Sequence, residues 1–159
     1  MRAIAAIGLA ASLALSASAM GRRPQKKEAS KMQPADMAAG EISPSLWKGQ
    51  HSAANQAAAF TAEDEADWSK LWKEYLNQEP PPLDFGKYFA AAVFTGLKPT
   101  GGYGVEFLPP VSDGKSVTIP YSIKSPGKSS FVTQAFTTPY AIQVYRKPGL
   151  PVKVEEQKR

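Results

Sequence analysis

His51 is the only histidine in 159 residues, and cysteine is absent. Those two counts remove most of the side-chain chemistry open to a protein. Without Cys there is no thiolate nucleophile, disulfide, zinc–thiolate site or iron–sulfur cluster. With one His, a multi-histidine metal site cannot form within one chain, and a Ser-His-Asp triad has only His51 as its base. No Gly-x-Ser-x-Gly turn is present to offer His51 a nucleophile, so it reads as solvent-exposed and inert. Glycoside hydrolysis needs two acids facing one cleft, and Asp84 with Glu106 is the least implausible pair. Ser125 with Lys128 is a Ser–Lys arrangement, but loops of Ser and Lys are common. The expectation is a non-enzyme with no catalytic residue, no metal and no cofactor.

The remaining motifs shape backbone. Thr100-Gly101-Gly102-Tyr103 joins two apolar runs. A Gly pair permits positive φ at both turn positions and lets another backbone come close. The motif is either a tight turn or a loop rim facing a partner or ligand. It is not a phosphate loop, because neither a following helix nor a Gly-Lys-Ser/Thr run is present. Gln134 with Thr138-Pro139-Tyr140 divides the same way, between a Gln bonded to loop backbone and a binding rim. The candidate binding residues are therefore Thr100, Gly101, Gly102, Tyr103, Gln134, Thr138, Pro139 and Tyr140.

The elements that must position them are mostly strands. Ser45–His51 and Gln56–Phe60 read as a strand pair joined around residues 52–55. Thr61 is an N-cap candidate, and Glu63, Asp64 and Glu65 crowd the first turn of a helix, where acidic groups meet the positive end of its dipole. Trp68, Leu71, Trp72 and Tyr75 recur at i, i+3, i+4, i+7 and form one helical face, which predicts a helix packed on a sheet. Glu79-Pro80-Pro81-Pro82 stops it. Tyr88–Thr95 (YFAAAVFT) is apolar on both faces and predicts a central strand covered twice. Tyr103–Leu108 and Ser116–Ile123 alternate as strands with one apolar side, and the Asp113-Gly114 loop between them supplies hairpin turn chemistry. Pro120 cannot donate to a ladder, which places its strand at an edge or a bulge. Phe131–Phe136 and Tyr140–Tyr145 are the last predicted strands. The fold class is α+β, mainly β: an antiparallel sheet of about five to seven strands with one helix packed against it.

The net charge of +5 sits at the ends of the chain. Residues 1–31 carry Arg2, Arg22, Arg23, Lys26, Lys27 and Lys31 against Glu28, whereas 32–145 hold eight basic and eleven acidic residues. Met1-Arg2, an apolar run to Leu15 and Ser16-Ala17-Ser18-Ala19 read as a signal peptide over 1–19, the run being shorter than a membrane span needs. Residues 20–43 read as a flexible basic leader and 147–159 as a flexible tail, each capable of weak contact with anionic surfaces. Residues 44–146 are the folded domain. Export and the acidic body argue against nucleic acid as a partner, despite a pI near 9.4.

One ordered set of motifs resembles a known family. Phe94-Thr95-Gly96 ends an apolar strand, Pro99-Thr100-Gly101-Gly102-Tyr103 follows, then the alternating strand, Ser125-Pro126-Gly127, and Gln134, Thr137, Pro139 and Tyr140. With the upstream Asp67-Trp68 and Leu71-Trp72 pairs, this resembles the C-terminal domain of the protease-complex accessory subunit PrcB over about 100 of the 159 residues. The resemblance implies an exported, periplasmic or extracellular, non-enzymatic module that supports a partner protease or another envelope protein. Members are often lipid-anchored, and this chain departs from them in having no Cys. Strand addition at an exposed sheet edge, together with the loops, is the physical route to such binding. The alternative is a domain that binds a cell-envelope polymer or a small ligand.

Overall fold

Alanine is a poor strand former, yet Ala90, Ala91 and Ala92 lie at the centre of the molecule, each fully buried. Their place in the layers explains this. The computed structural model describes residues 45–158, so the expected signal peptide and basic leader lie outside the described residues. Two four-stranded sheets are present. The first has the order β1 (Leu46–Gly49), β7 (Tyr140–Arg146), β3 (Tyr88–Thr95), β2 (Ala57–Ala62), all antiparallel. The second is built on β6 (Val117–Lys124), with β4 (Gly104–Phe107), β5 (Val111–Ser112) and β8 (Val152–Glu156) pairing to it. A helix, α1 (Glu65–Lys70), continues through a π-helical turn over Leu71–Tyr75. The fold class is as expected, and the strands divide between two sheets.

The first sheet is the middle layer. On one face Tyr88, Ala90, Ala92, Phe94, Ile142 and Val144 pack with Trp68, Leu71, Trp72 and Leu76. On the other, Phe89 and Ala91 meet Val117, Ile119 and Tyr145, and Val93 meets Val105, Tyr121 and Ala141. Every residue of β3 is therefore buried, as its unbroken apolar run predicts. The small Cβ atoms of Ala90 and Ala92 leave volume for the two indoles above them. Trp47, Trp68 and Trp72 meet edge to face with centroids 5.4–5.8 Å apart, the geometry favoured by ring quadrupoles.

The helix begins and ends on residues other than those expected. Thr61 lies in β2, and the N-cap is Asp64, whose carboxylate accepts the Asp67 N–H at 2.8 Å. At the other end Asn77 takes a left-handed φ of 52° and ends the helix before the prolines are reached. The proline run then lies alongside the helix, where the Pro81 carbonyl accepts from the Trp68 indole N–H at 2.8 Å.

Three strand expectations are corrected. β1 and β2 exist but do not pair: they occupy opposite edges of the first sheet, because β3 and β7 supply the buried centre between them. Phe131–Phe136 is loop, with both phenylalanines exposed; its only sheet-like contact is the bridge from the next residue, Thr137, to Lys98. Residues 152–156, within the expected flexible tail, form β8, a strand parallel to β6. Val152 and Val154 turn toward Val117 and Ile119, which gives this charged segment an apolar side to bury.

Pro120 lies in the middle of β6 rather than at an edge. β4 and β5 pair successive parts of β6 on the side away from β8, and residues 108–110 oppose only 119 and 120. That extra residue is a bulge. Pro120, which lacks an N–H, sits where the ladder is interrupted, and its carbonyl still accepts from Leu108 at 2.8 Å.

Candidate functional site

The motif residues meet at one end of the fold, where residues 50–52, 98–103 and 133–140 are tied together by backbone. Lys98 N–H donates to Thr137 C=O at 2.7 Å, and Thr137 N–H returns to Lys98 C=O at 3.0 Å. The Thr137 hydroxyl donates to Thr100 C=O at 2.8 Å, and Gly101 N–H donates to Thr133 C=O at 2.9 Å. Gln50 reaches across to donate to Tyr103 C=O at 3.1 Å.

Of the Gly pair, only Gly102 has a positive φ, 83°. A Cβ there would also meet Val132 Cγ1 at 2.7 Å and Pro126 Cβ at 3.0 Å. Gly101 is buried against Thr133 at ordinary contact distance. Gly102 thus both reverses the chain and leaves room for the 125–136 loop, whereas a Cβ at Gly101 would meet Thr133 only at ordinary contact distance.

Thr138 and Pro139 are buried. Thr138 bonds to Ser52 three ways, and Pro139 C=O accepts the Thr95 N–H at 2.9 Å. Tyr140 is half-buried, stacks on Phe94 at 5.9 Å and covers the Cα of Gly49, its partner in the register. That burial raises its phenol pKa above the ordinary value. Gln134, by contrast, is exposed and turns back to its own loop, with Nε2 3.4 Å from Val132 C=O. Thr100, Gly101, Thr138 and Pro139 therefore build the junction, whereas Gly102, Tyr103 and Gln134 lie nearer its solvent face.

Three side chains escape the sequence reading. Leu97 (52% exposed), Phe131 (107%) and Phe136 (69%) stand in the loops of this junction, and among the described residues only Leu46 and Val111 are exposed large hydrophobics elsewhere. Leu97 and Phe136 adjoin the two residues of the Lys98–Thr137 bridge. The alternation in Phe-Val-Thr-Gln-Ala-Phe imitates a strand, which hid them. Their rim carries cations: Lys98 Nζ lies 5.7 Å from the Tyr103 ring centroid, and Lys128 lies within the 125–136 loop.

The residues weighed for catalysis do not converge. His51 is exposed. Asp84 pairs with Lys87 at 3.7 Å and accepts Gly86 N–H, whereas Glu106 pairs with Lys124 at 2.8 Å on β4 and β6. No group of three or more His, Asp or Glu able to hold a metal ion occurs among the described residues, and no helix among them is long and apolar enough to cross a membrane. A cleft of about 580 Å³ lies apart from the junction, between the ends of β6 and β8.

Residues 90–144 match the family model described as PrcB C-terminal. The match starts within β3 and ends within β7, so it takes in the whole second sheet except β8, together with both halves of the Gly-Gly and Thr-Pro-Tyr junction. No curated protein and no solved structure gives a significant match.

Proposed function

With residues 90–144 carrying the PrcB C-terminal family pattern, we propose that the protein is an exported, non-enzymatic interaction module that binds a partner protein, a protease or another envelope protein, through this loop rim. The observation that carries the reading is the exposure of Leu97, Phe131 and Phe136 in loops whose backbones are tied together at Lys98, Gly101, Thr133 and Thr137. Isolated surface apolar residues need no explanation, but three of the five exposed large hydrophobics among the described residues stand in the loops of this one junction. Phenylalanine is also among the residue types enriched in protein–protein interfaces. The junction supports this role physically: paired backbone on three segments holds the rim in place, so less order has to be imposed on binding.

The test is affinity capture with the full chain from its own cell-envelope fraction, at low and moderate salt. The expected result is a specific protein retained by the unsubstituted chain and by Val111→Ser, an exposed apolar control on β5, and lost with Phe131→Ser/Phe136→Ser. Recovery of no specific protein at either salt, or equal recovery by the double variant, would overturn the reading.

A further inference from the structure

The β8 side of β6 has three features that belong together. First, the strand occupying it is weakly buried: no residue of β8 is fully buried, and only Val152 and Val154 have an apolar neighbour cluster. It joins β7 through Lys147-Pro148-Gly149-Leu150-Pro151, where Gly149 has φ 68° and two prolines lack a donor. Second, β8 stops short of the end of β6. Val117 N–H donates to Pro151 C=O at 2.9 Å and Tyr121 C=O accepts Gln157 N–H at 2.7 Å, while Pro120 C=O faces the β4 side. By alternation the backbone N–H and C=O of Ile123 point to the β8 side, past that Gln157 bond. There they line the 580 Å³ cleft, with Lys124, Ser125 and Lys158. Third, Ser122, which lines the same cleft, is 5% exposed, and its hydroxyl has no hydrogen-bond partner. A buried hydroxyl without a partner is a cost the fold retains.

We propose that this edge of β6 is a strand acceptor for an extended segment of a partner protein with β-branched residues at alternate positions, and that β8 is its resident occupant. β8 itself shows what the edge takes: a parallel strand whose Val-x-Val face turns inward and whose charged face turns out. The Ser122–Ser125 cleft is the point of entry. There an incoming segment pairs with the Ile123 backbone, gives the Ser122 hydroxyl a partner, and displaces β8 from its C-terminal end. Tethering places β8 at an effective concentration on the order of millimolar, so a competitor gains access only when β8 is weakened or the competitor is better matched. This site is separate from the loop rim and does not depend on it.

The test uses the full chain and a fluorescein-labelled peptide of the sequence PVKVEEQKR, residues 151–159, followed by fluorescence anisotropy. Val152→Ser/Val154→Ser in the chain is expected to bind the peptide at least roughly tenfold tighter than the unsubstituted chain, since the competing tether is weakened. A peptide with both valines replaced by serine is expected not to bind. Phe131→Ser/Phe136→Ser is expected to leave peptide binding unchanged, which separates this proposal from the rim. A folded valine variant that binds the peptide no better than the unsubstituted chain overturns the proposal. Concentration-dependent dimerisation of the unsubstituted chain, lost in that variant, would assign the edge to a second copy's β8 and overturn the assignment to a foreign segment. If the variant fails to fold, native-state hydrogen exchange on the unsubstituted chain decides. Amides of 152–157 are expected to exchange by a local opening, faster than β3 and β7 and insensitive to low denaturant. Exchange of β8 only through global unfolding overturns the proposal.

Discussion

The Thr138 hydroxyl and the Ser52 backbone close a two-way clamp: Ser52 N–H donates to Thr138 Oγ1 at 2.6 Å, and that hydroxyl donates to Ser52 C=O at 2.7 Å. The Ser52 hydroxyl adds a third bond, to Thr138 C=O at 3.0 Å. The pair is 86 residues apart in sequence and ties the segment after β1 to the start of β7. Thr138→Val keeps the shape and removes the hydroxyl, leaving the Ser52 N–H and C=O without a partner. The expected cost is about 2–3 kcal/mol. Thr138→Ser keeps both bonds and is expected to lose about 1 kcal/mol, the worth of one methyl. Urea unfolding with an unchanged slope checks both, and equal costs for the two variants would show that the hydroxyl is not the clamp.

The Gly pair makes a sharper contrast. Gly102 holds φ 83° with Val132 and Pro126 where a Cβ would go, whereas Gly101 has no positive φ and meets Thr133 at 3.5 Å or more. Gly102→Ala is expected to destabilise by about 1–3 kcal/mol, the range for a non-Gly residue held in that region. Gly101→Ala is expected to stay within about 0.5 kcal/mol of the parent, since it also reduces the freedom of the unfolded chain. Thermal midpoints of the two variants decide which glycine the motif needs.

These two glycines also mark where the sequence stops being legible. Their spacing shows a turn, but not that only Gly102 takes a positive φ, nor that Val132 and Pro126 arrive from a distant loop to crowd it. The central strand is legible because the doubly apolar run Tyr88–Thr95 has one physical solution, burial on both faces. The helix face is legible because Trp68, Leu71 and Trp72 recur at helical spacing, although the cap shifts from Thr61 to Asp64. β8 is not legible. Val-Lys-Val-Glu-Glu has only two apolar residues, and its partner Val117 lies 35 positions away in a parallel pairing that no local turn announces. The rim is illegible for the converse reason: Phe131–Phe136 alternates as a strand does, yet it joins neither sheet.

The indoles of Trp68 and Trp72 are buried alike but bonded differently. Trp68 donates to Pro81 C=O at 2.8 Å, whereas Trp72 Nε1 is buried without a partner. Trp68→Phe therefore strands a carbonyl as well as losing volume, and Trp72→Phe relieves an orphan donor. Trp68→Phe is expected to cost about 1–2 kcal/mol more than Trp72→Phe. Equal unfolding midpoints would mean that packing alone sets both costs.

Alkaline pH is expected to weaken the fold through two phenols. Burial raises the pKa of Tyr145, and burial with the nearby Glu156 carboxylate raises that of Tyr121. Folding thus favours the protonated form of each. The stabilisation is complete below the unfolded value of about 10 and is lost as pH rises above it, because the unfolded chain releases those protons first. The thermal midpoint is expected to fall between pH 9 and about 11, and to fall less steeply in Tyr145→Phe, which keeps the ring stacked on Phe89 at 5.7 Å. A slope unchanged by that substitution would move the alkaline sensitivity to other groups.

Ser122→Ala separates stability from binding at the β6 edge. The hydroxyl is buried and unpartnered, so for the isolated chain it is only a cost. Its removal is expected to raise stability by about 0.5–1 kcal/mol, the reverse of the usual sign for a buried substitution. For a chain that accepts a partner strand, the same hydroxyl is a bonding position left open, and its loss is expected to weaken PVKVEEQKR binding by the valine variant. The two effects have opposite signs only if Ser122 serves the partner. A gain in stability with unchanged peptide affinity would leave the acceptor edge standing but remove Ser122 from it. A loss of stability would show that the hydroxyl already has a partner within the fold.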